Sequence, residues 1–270
     1  MTAIPLLAVL LGCALAISSI GFVRTVWFIS IGYAFSIVVF VPVTLLGANA
    51  APGWISWAQL LALLVWGLRL GIYLTARERK AAYRAAVSDQ TDRSQALPVV
   101  VRMLIWLSVS ALYVCMFSPA VFLAYAGATL SAGALLGTGV AVTVMALGLA
   151  LESLADRQKA RLKACDPNTF AHTGLYGWVR YPNYLGEMLF WIGNFLAGLF
   201  AYNAWWHWVL AAVGCICIQL IMLGSTKRLE LKQNERYGAD PAYAEYVRSV
   251  PVLLPGVPLY SLRRVWLTLG

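Results

Sequence analysis

The chain has 270 residues, 61% of them hydrophobic and only 11% charged, and its mean hydropathy is +0.76. Soluble domains carry about 25% charged residues, so this balance excludes an ordinary soluble globule and indicates a polytopic membrane protein. The net charge of +9 does not call for nucleic acid, because the basic residues sit in short blocks between apolar runs, as the positive-inside rule produces.

The opening run, 3–20, is apolar but lacks a basic leader and a clear cleavage site, so it reads as a retained first helix rather than a signal peptide. A second run, 26–47, carries Tyr33. A third, 54–75, carries Arg69 within Trp66-Gly67-Leu68-Arg69-Leu70-Gly71-Ile72-Tyr73. An arginine so near a helix end can snorkel to the interface. Tyr33 and Tyr73 are candidate proton donors, although a tyrosine in a membrane helix more often packs and makes one hydrogen bond. Four further runs, 101–124, 129–152, 185–202 and 204–224, are also long enough to cross about 30 Å of hydrocarbon. The Gly-rich stretch 127–148 lacks phosphate-loop spacing and reads as close helix packing.

All Lys and Arg except Arg24, Arg69 and Arg102 lie in three regions. The connection 76–100 holds Arg77, Arg79, Lys80, Arg84 and Arg93. The connection 153–184 holds Arg157, Lys159, Arg161, Lys163 and Arg180, and the tail after Ser225 holds the rest. All three fall on one side only if 101–124 is a single span containing Pro119, bent there. The expected fold is therefore all-α, one polytopic membrane domain over 1–270, with seven transmembrane helices, the N-terminus outside and the C-terminus cytoplasmic. A multi-pass inner membrane protein of a bacterium fits that pattern. Pro251, Pro255 and Pro258 should break the tail into short helices or turns. The five cysteines show no CxxC or Cys/His spacing and read as reduced packing residues. With only His172 and His207 present, a multi-histidine metal centre is excluded, and no metal site is expected.

Three constellations carry the functional reading. If the fifth span continues as a helix, Glu152, Asp156, Lys159 and Lys163 share one face. Such a face is either a solvated, salt-bridged helix end or a site whose acids hold ribose hydroxyls and whose lysines hold phosphates. Next, the run Gly174 to Glu187 sets Arg180, Asn183, Tyr184 and Glu187 at the entrance of the sixth span. Gly174 and Gly177 suit a tight turn there, and Pro182 suits a first helical turn. Asn183 and Glu187 lie one turn apart, and a carboxylate at that depth needs a partner, which Arg180 or Asn183 could supply. An interfacial belt of Tyr176, Trp178, Tyr181 and Tyr184 explains the aromatics but not Glu187. Finally, Lys227-Arg228-Leu229-Glu230 leaves the last span ahead of Tyr237-Gly238, Tyr243, Tyr246 and the prolines. A basic segment touching anionic headgroups explains the charges of this region, not Glu230 or the Tyr/Pro order.

Together these segments resemble the steroid 5-alpha-reductase C-terminal family and the related membrane sterol reductases, over roughly 60–260. Ala155-Asp156-Arg157-Gln158-Lys159 through Lys163 is similar to the sterol-reductase A-N/D-x-Q-K-x-x-F-R/K segment, with Leu162 at the aromatic position. Gly174 to Glu187 is similar to G-L-W-x-x-x-R-H-P-N-Y-x-G-E/D. Arg228, Glu230, Tyr237-Gly238, Tyr246, Pro251 and Pro255 resemble the family's C-terminal pattern, and Trp66 to Tyr73 the W-x-x-R-L-x-x-Y helix of its bacterial branch.

The resemblance implies an all-helical membrane enzyme whose C-terminal half, 126–270, binds NADPH, with 1–125 on the substrate side. It places Glu152, Asp156, Lys159 and Lys163 near ribose and phosphates, with Arg180 and Arg228 adding charge and Tyr237 and Tyr246 in the same site. It sets Asn183 and Tyr184 near the nicotinamide, oriented by Glu187 and Glu230. The implied reaction is hydride delivery to an electron-poor C=C bond of a steroid, sterol-like or isoprenoid lipid drawn from the bilayer. Two departures stand out. Tyr181 occupies the family's usual histidine position, and there is no Asp or Glu before Glu78 to polarise a ketone, so Tyr73 or Tyr33 would have to act. Two other readings compete: an S-adenosylmethionine-dependent methyltransferase of the isoprenylcysteine or phospholipid type, and a non-catalytic lipid-binding relative. Paired lysines favour the phosphate-bearing cofactor, since a sulfonium cofactor has no phosphate.

Overall fold

The computed structural model describes residues 3–48, 52–79, 96–126 and 130–263. Lys80, Arg84, Arg93 and Arg264, which belong to the basic blocks, lie outside the described residues.

Among the described residues eight α-helices follow in chain order: α1 Ile4–Ser18, α2 Ile31–Gly47, α3 Trp54–Glu78, α4 Val99–Ala126, α5 Ala132–Cys165, α6 Pro182–Ala197, α7 Trp205–Tyr237 and α8 Pro241–Ser249. Short 3₁₀ turns at Ser19–Phe22, Thr25–Ile29, Gly174–Gly177 and Leu199–Ala201 link them, and no strand occurs among the described residues. In hydrocarbon every backbone N–H and C=O must be satisfied within its own segment, which apolar runs of this length achieve as helices. Seven helical segments among the described residues are long and apolar enough to cross a membrane. The sequence 101–124 lies within one helix with Pro119 inside it, as expected. The fifth helix continues past its apolar stretch to Cys165, and the last runs on to Tyr237, beyond the expected end at 224. The tail then forms α8, capped by Asp240 accepting from the Ala242 amide at 2.9 Å, before turning at the prolines.

The chain divides into two compact units. The first comprises 1–142 and 194–215. Its core contains Phe28, Ile37, Phe40, Leu60, Leu63, Trp66 and Phe117, all fully buried. Helices approach closely where side chains are missing: a Cβ on Gly67 would stand 3.0 Å from the Ala34 carbonyl, so α2 and α3 nearly touch. Polar ties cross the apolar interior. Gln59 Nε2 donates to Asn194 Oδ1 at 2.9 Å, and Asn194 Nδ2 donates to the Met116 carbonyl at 2.9 Å. Ser18 and Ser110 hydroxyls pair at 2.8 Å.

The second unit comprises 143–193 and 216–270. It holds every acid, lysine, arginine and tyrosine assigned above to the cofactor, whereas Tyr33 and Tyr73 belong to the first unit.

Candidate functional site

The second unit is organised by a crossing of α5 and α6. A Cβ on Gly186 would lie 2.6 Å from both the Gly148 carbonyl and the Glu152 amide nitrogen, and one on Gly148 would lie 2.6 Å from the Gly186 carbonyl. Only two glycines permit backbones this close. The contact sets Glu152, 3% exposed, beside the helical turn that carries Asn183 and Glu187, the latter 8% exposed. Asp156 and Lys159 follow on the same face of α5 and are half-buried. Glu152, the first member of the acid-and-lysine face, thus lies beside the first turns of α6.

Beyond the crossing, α5 continues alongside the 174–177 turn. Gly174 has φ +62°, a left-handed conformation suited to glycine. A Cβ there would also meet Gln158 Oε1 at 2.7 Å. That same oxygen accepts from the Leu175 amide at 3.0 Å. Tyr176 hydroxyl donates to the Ala155 carbonyl, and Tyr246 hydroxyl donates to the Tyr176 carbonyl at 2.7 Å. The turn is therefore held from α5 on one side and from α8 on the other.

Several residues expected to face a cofactor serve here as braces. Lys163 Nζ donates to the Pro167 carbonyl at 3.0 Å, to the Thr169 carbonyl and to Tyr237 hydroxyl at 2.7 Å. An ammonium has three donors, so these contacts use them all. Tyr237 hydroxyl in turn donates to the Thr169 carbonyl.

Arg180, 3% exposed, pairs through Nη2 with Glu230 Oε1 at 3.1 Å and also donates to the Tyr260 carbonyl. Glu230 Oε2 accepts from the Leu262 amide at 2.9 Å. Glu230 thus anchors Arg180 and the returning tail with its two oxygens. The tail is pinned further by the Arg180 amide donating to the Pro251 carbonyl and the Tyr181 amide donating to that of Val252.

Around this pair lies an apolar cluster of Val179, Tyr181, Leu185, Val252, Leu253 and Leu262, with Tyr184 packed against it. Tyr181, which stands where the resembled reductase motif has histidine, is buried and donates to Gln233 Oε1 at 3.0 Å. Arg228 stands exposed on α7, donating to Ser225 Oγ. Burial pushes the phenols of Tyr181, Tyr243 and Tyr246 up, and the positive charge of Arg180 pulls each partly back. All three stay neutral donors at ordinary pH.

Two nitrogens of the buried guanidinium, Nε and Nη1 of Arg180, have no acceptor, and neither does Asn234 Nδ2. A buried donor without an acceptor is costly and unusual enough to require a reason. An anionic acceptor would satisfy them.

The two tyrosines considered as proton donors sit in different surroundings. Tyr33 is 6% exposed, edge-on to Trp66 and stacked 5.3 Å from Tyr113. Tyr73 is 43% exposed, with Arg77 over its ring. Among the described residues no group of three or more His, Cys, Asp or Glu could hold a metal ion. Sequence reasoning assigned no partner to Gln158, Gln233 or Asn234, which meet Leu175, Tyr181 and Tyr243.

Fold and site together define an all-helical, multi-pass integral membrane protein with a polar, partly buried site in its second unit. The model of the family described as "Protein of unknown function (DUF1295)" matches residues 16–250, and the chain belongs to that family. An uncharacterized protein of Schizosaccharomyces pombe is 33% identical over 87 residues, a match covering 32% of this chain and 24% of that protein. The matched region therefore spans about a quarter of that relative's length. No solved structure matches.

Proposed function

We propose that this chain is a membrane-embedded, NADPH-dependent reductase of a C=C bond in a steroid, sterol-like or isoprenoid lipid, with its cofactor site on the cytoplasmic side. The observation that carries this reading is the Gly148–Gly186 crossing, which brings Glu152, the first residue of the acid-and-lysine face, against the α6 turn that carries Asn183 and Glu187. In this reading Asp156 and Glu152 accept from ribose hydroxyls and Lys159 contacts phosphate, with Lys163 supporting the turn beside them. Arg180 contributes a buried positive charge with unmet donors, and Asn183 and Tyr184 orient the nicotinamide end. The bound dinucleotide would supply the hydride. Tyr33 or Tyr73 would supply the proton to the reduced alkene, and Glu187 would hold the Asn183 turn in place.

Calorimetry on the purified protein with NADPH and with S-adenosylmethionine tests the reading. NADPH should bind, and Lys159→Ala and Asn183→Ala should each weaken it about tenfold, the scale of one charge-assisted hydrogen bond. Binding of S-adenosylmethionine alone would favour the methyltransferase reading. Binding of NADPH without turnover on a panel of sterol and isoprenoid enones would favour a non-catalytic relative.

A further inference from the structure

The first unit contains a cavity of about 640 Å³ between the 3₁₀ segment after α1 and the end of α3. That volume lies within the range of pockets that enclose small ligands, about 300–1,000 Å³. Its body is apolar, formed by Ile20, Trp27, Ile31 and Phe35. Arg24, Glu78 and Arg79 also line it, with little polar surface turned inward. Glu78 already accepts from Arg24, so this acid and this base offset each other.

Among the described residues the surplus charge at this end of the unit is positive. Arg79 is exposed on the rim. Arg102 reaches the Phe22 carbonyl and lies over the Phe22 ring, which brings a further cation to the same 3₁₀ segment. Around these residues the apolar surface is open: Val23 is 67% exposed, Ile29 55% and Ile72 63%. In a chain whose helices are built to cross a bilayer, such surface meets lipid, so an occupant can enter sideways from the membrane.

We propose that this cavity binds one anionic membrane lipid, its acyl chain lying among Trp27, Ile31 and Phe35 and its phosphate held at Arg79. The occupant follows from charge complementarity: an apolar body calls for a hydrocarbon chain, and an arginine rim attracts an anionic headgroup, worth about 1 kcal/mol per basic residue at a membrane surface, or about fivefold in affinity. The site is separate from the dinucleotide reading and does not depend on it.

The test uses the full chain in neutral detergent with phosphatidylglycerol or phosphatidylcholine, each carrying a photoreactive diazirine in its acyl chain. After irradiation, adducts are mapped by mass spectrometry. Phosphatidylglycerol should label the peptide bearing Ile31 and Phe35 about fivefold more than phosphatidylcholine, and Arg79→Gln should remove most of that preference. Thr75→Trp, which fills the cavity from α3, should abolish labelling by both lipids; Ile31→Trp serves the same purpose if that variant does not fold. Equal labelling by the two lipids would overturn the proposal. So would adducts confined to exposed residues such as Leu68 and Ile72. A cavity covered by a second copy of the chain would leave that peptide unlabelled by either lipid, which also overturns it. No dinucleotide is present, so the outcome is independent of the reductase reading.

Discussion

Arg180 and Glu230, fifty residues apart in the chain, meet at 3.1 Å with both side chains 1% exposed. The pair joins the entrance of α6 to α7, and through the Leu262 amide and the Tyr260 carbonyl it anchors the returning tail. Its worth lies in completeness: desolvating two charges is expensive, and removing one leaves the other buried alone.

Glu230→Ala should therefore destabilise the protein by about 3–5 kcal/mol. Arg180→Met with Glu230→Leu should recover most of that loss. Denaturant or thermal unfolding in detergent measures both, and a double variant no better than the single one would show that the pair does more than offset its own burial.

The glycine crossing makes a second prediction. A Cβ on Gly186 meets backbone atoms of Gly148 and Glu152 that cannot rotate away, so Gly186→Ala must spread α5 from α6. A loss of about 1–3 kcal/mol is expected, together with weaker NADPH binding if the proposed function holds. Gly12→Ala is the control. Its Cβ would enter open space within α1, and it should gain up to about 1 kcal/mol. Equal effects of the two substitutions would remove the crossing as the organiser of the site.

The two lysines of the α5 face should separate experimentally. Lys163 has its donors committed to Pro167, Thr169 and Tyr237, so Lys163→Met should lower the melting temperature and loosen the 166–170 turn. Lys159→Ala should weaken NADPH binding about tenfold if the proposed function holds. The opposite pattern would exchange their roles.

Alkaline pH provides a further check. Tyr243 is buried, and its pKa is raised above the usual 10.0, chiefly by desolvation. Tyr181 and Tyr246 shift the same way. When pH rises past 10 the unfolded chain loses these protons while the folded chain keeps them, so the unfolded state binds fewer protons and stability falls. The contribution is complete below pH 10 and is lost as pH climbs towards the folded values. Tyr243→Phe should shallow this decline. It also removes the donor to Asn234 Oδ1 at 3.0 Å, which lowers stability by about 1 kcal/mol at neutral pH. An unchanged alkaline slope in Tyr243→Phe would assign the decline to other groups.

Much of the fold was legible because its signals are local. An apolar run of twenty residues can satisfy its backbone in lipid only as a helix, so all seven spans could be read from hydropathy. Helical spacing likewise placed Glu152, Asp156, Lys159 and Lys163 on one face before any neighbour was known. The Gly-rich stretch suggested close packing, yet among its described glycines only Gly148 meets the backbone of α6, while Gly133 and Gly139 face open space. Composition could not tell them apart, because the distinction depends on where the partner helix crosses.

Partnership was what the sequence left open. For Glu187 it offered Arg180 or Asn183; the folded chain gives Arg180 an ion pair with Glu230. It assigned Lys163 to a ligand; the folded chain gives it to two carbonyls and a phenol. It suggested no cavity beside Arg79, and the structure has one there. Hydropathy and i, i+4 spacing report what a residue does within its own helix. Which residue meets which across fifty or more positions depends on helix crossings and the path of the tail, and those exist only in three dimensions.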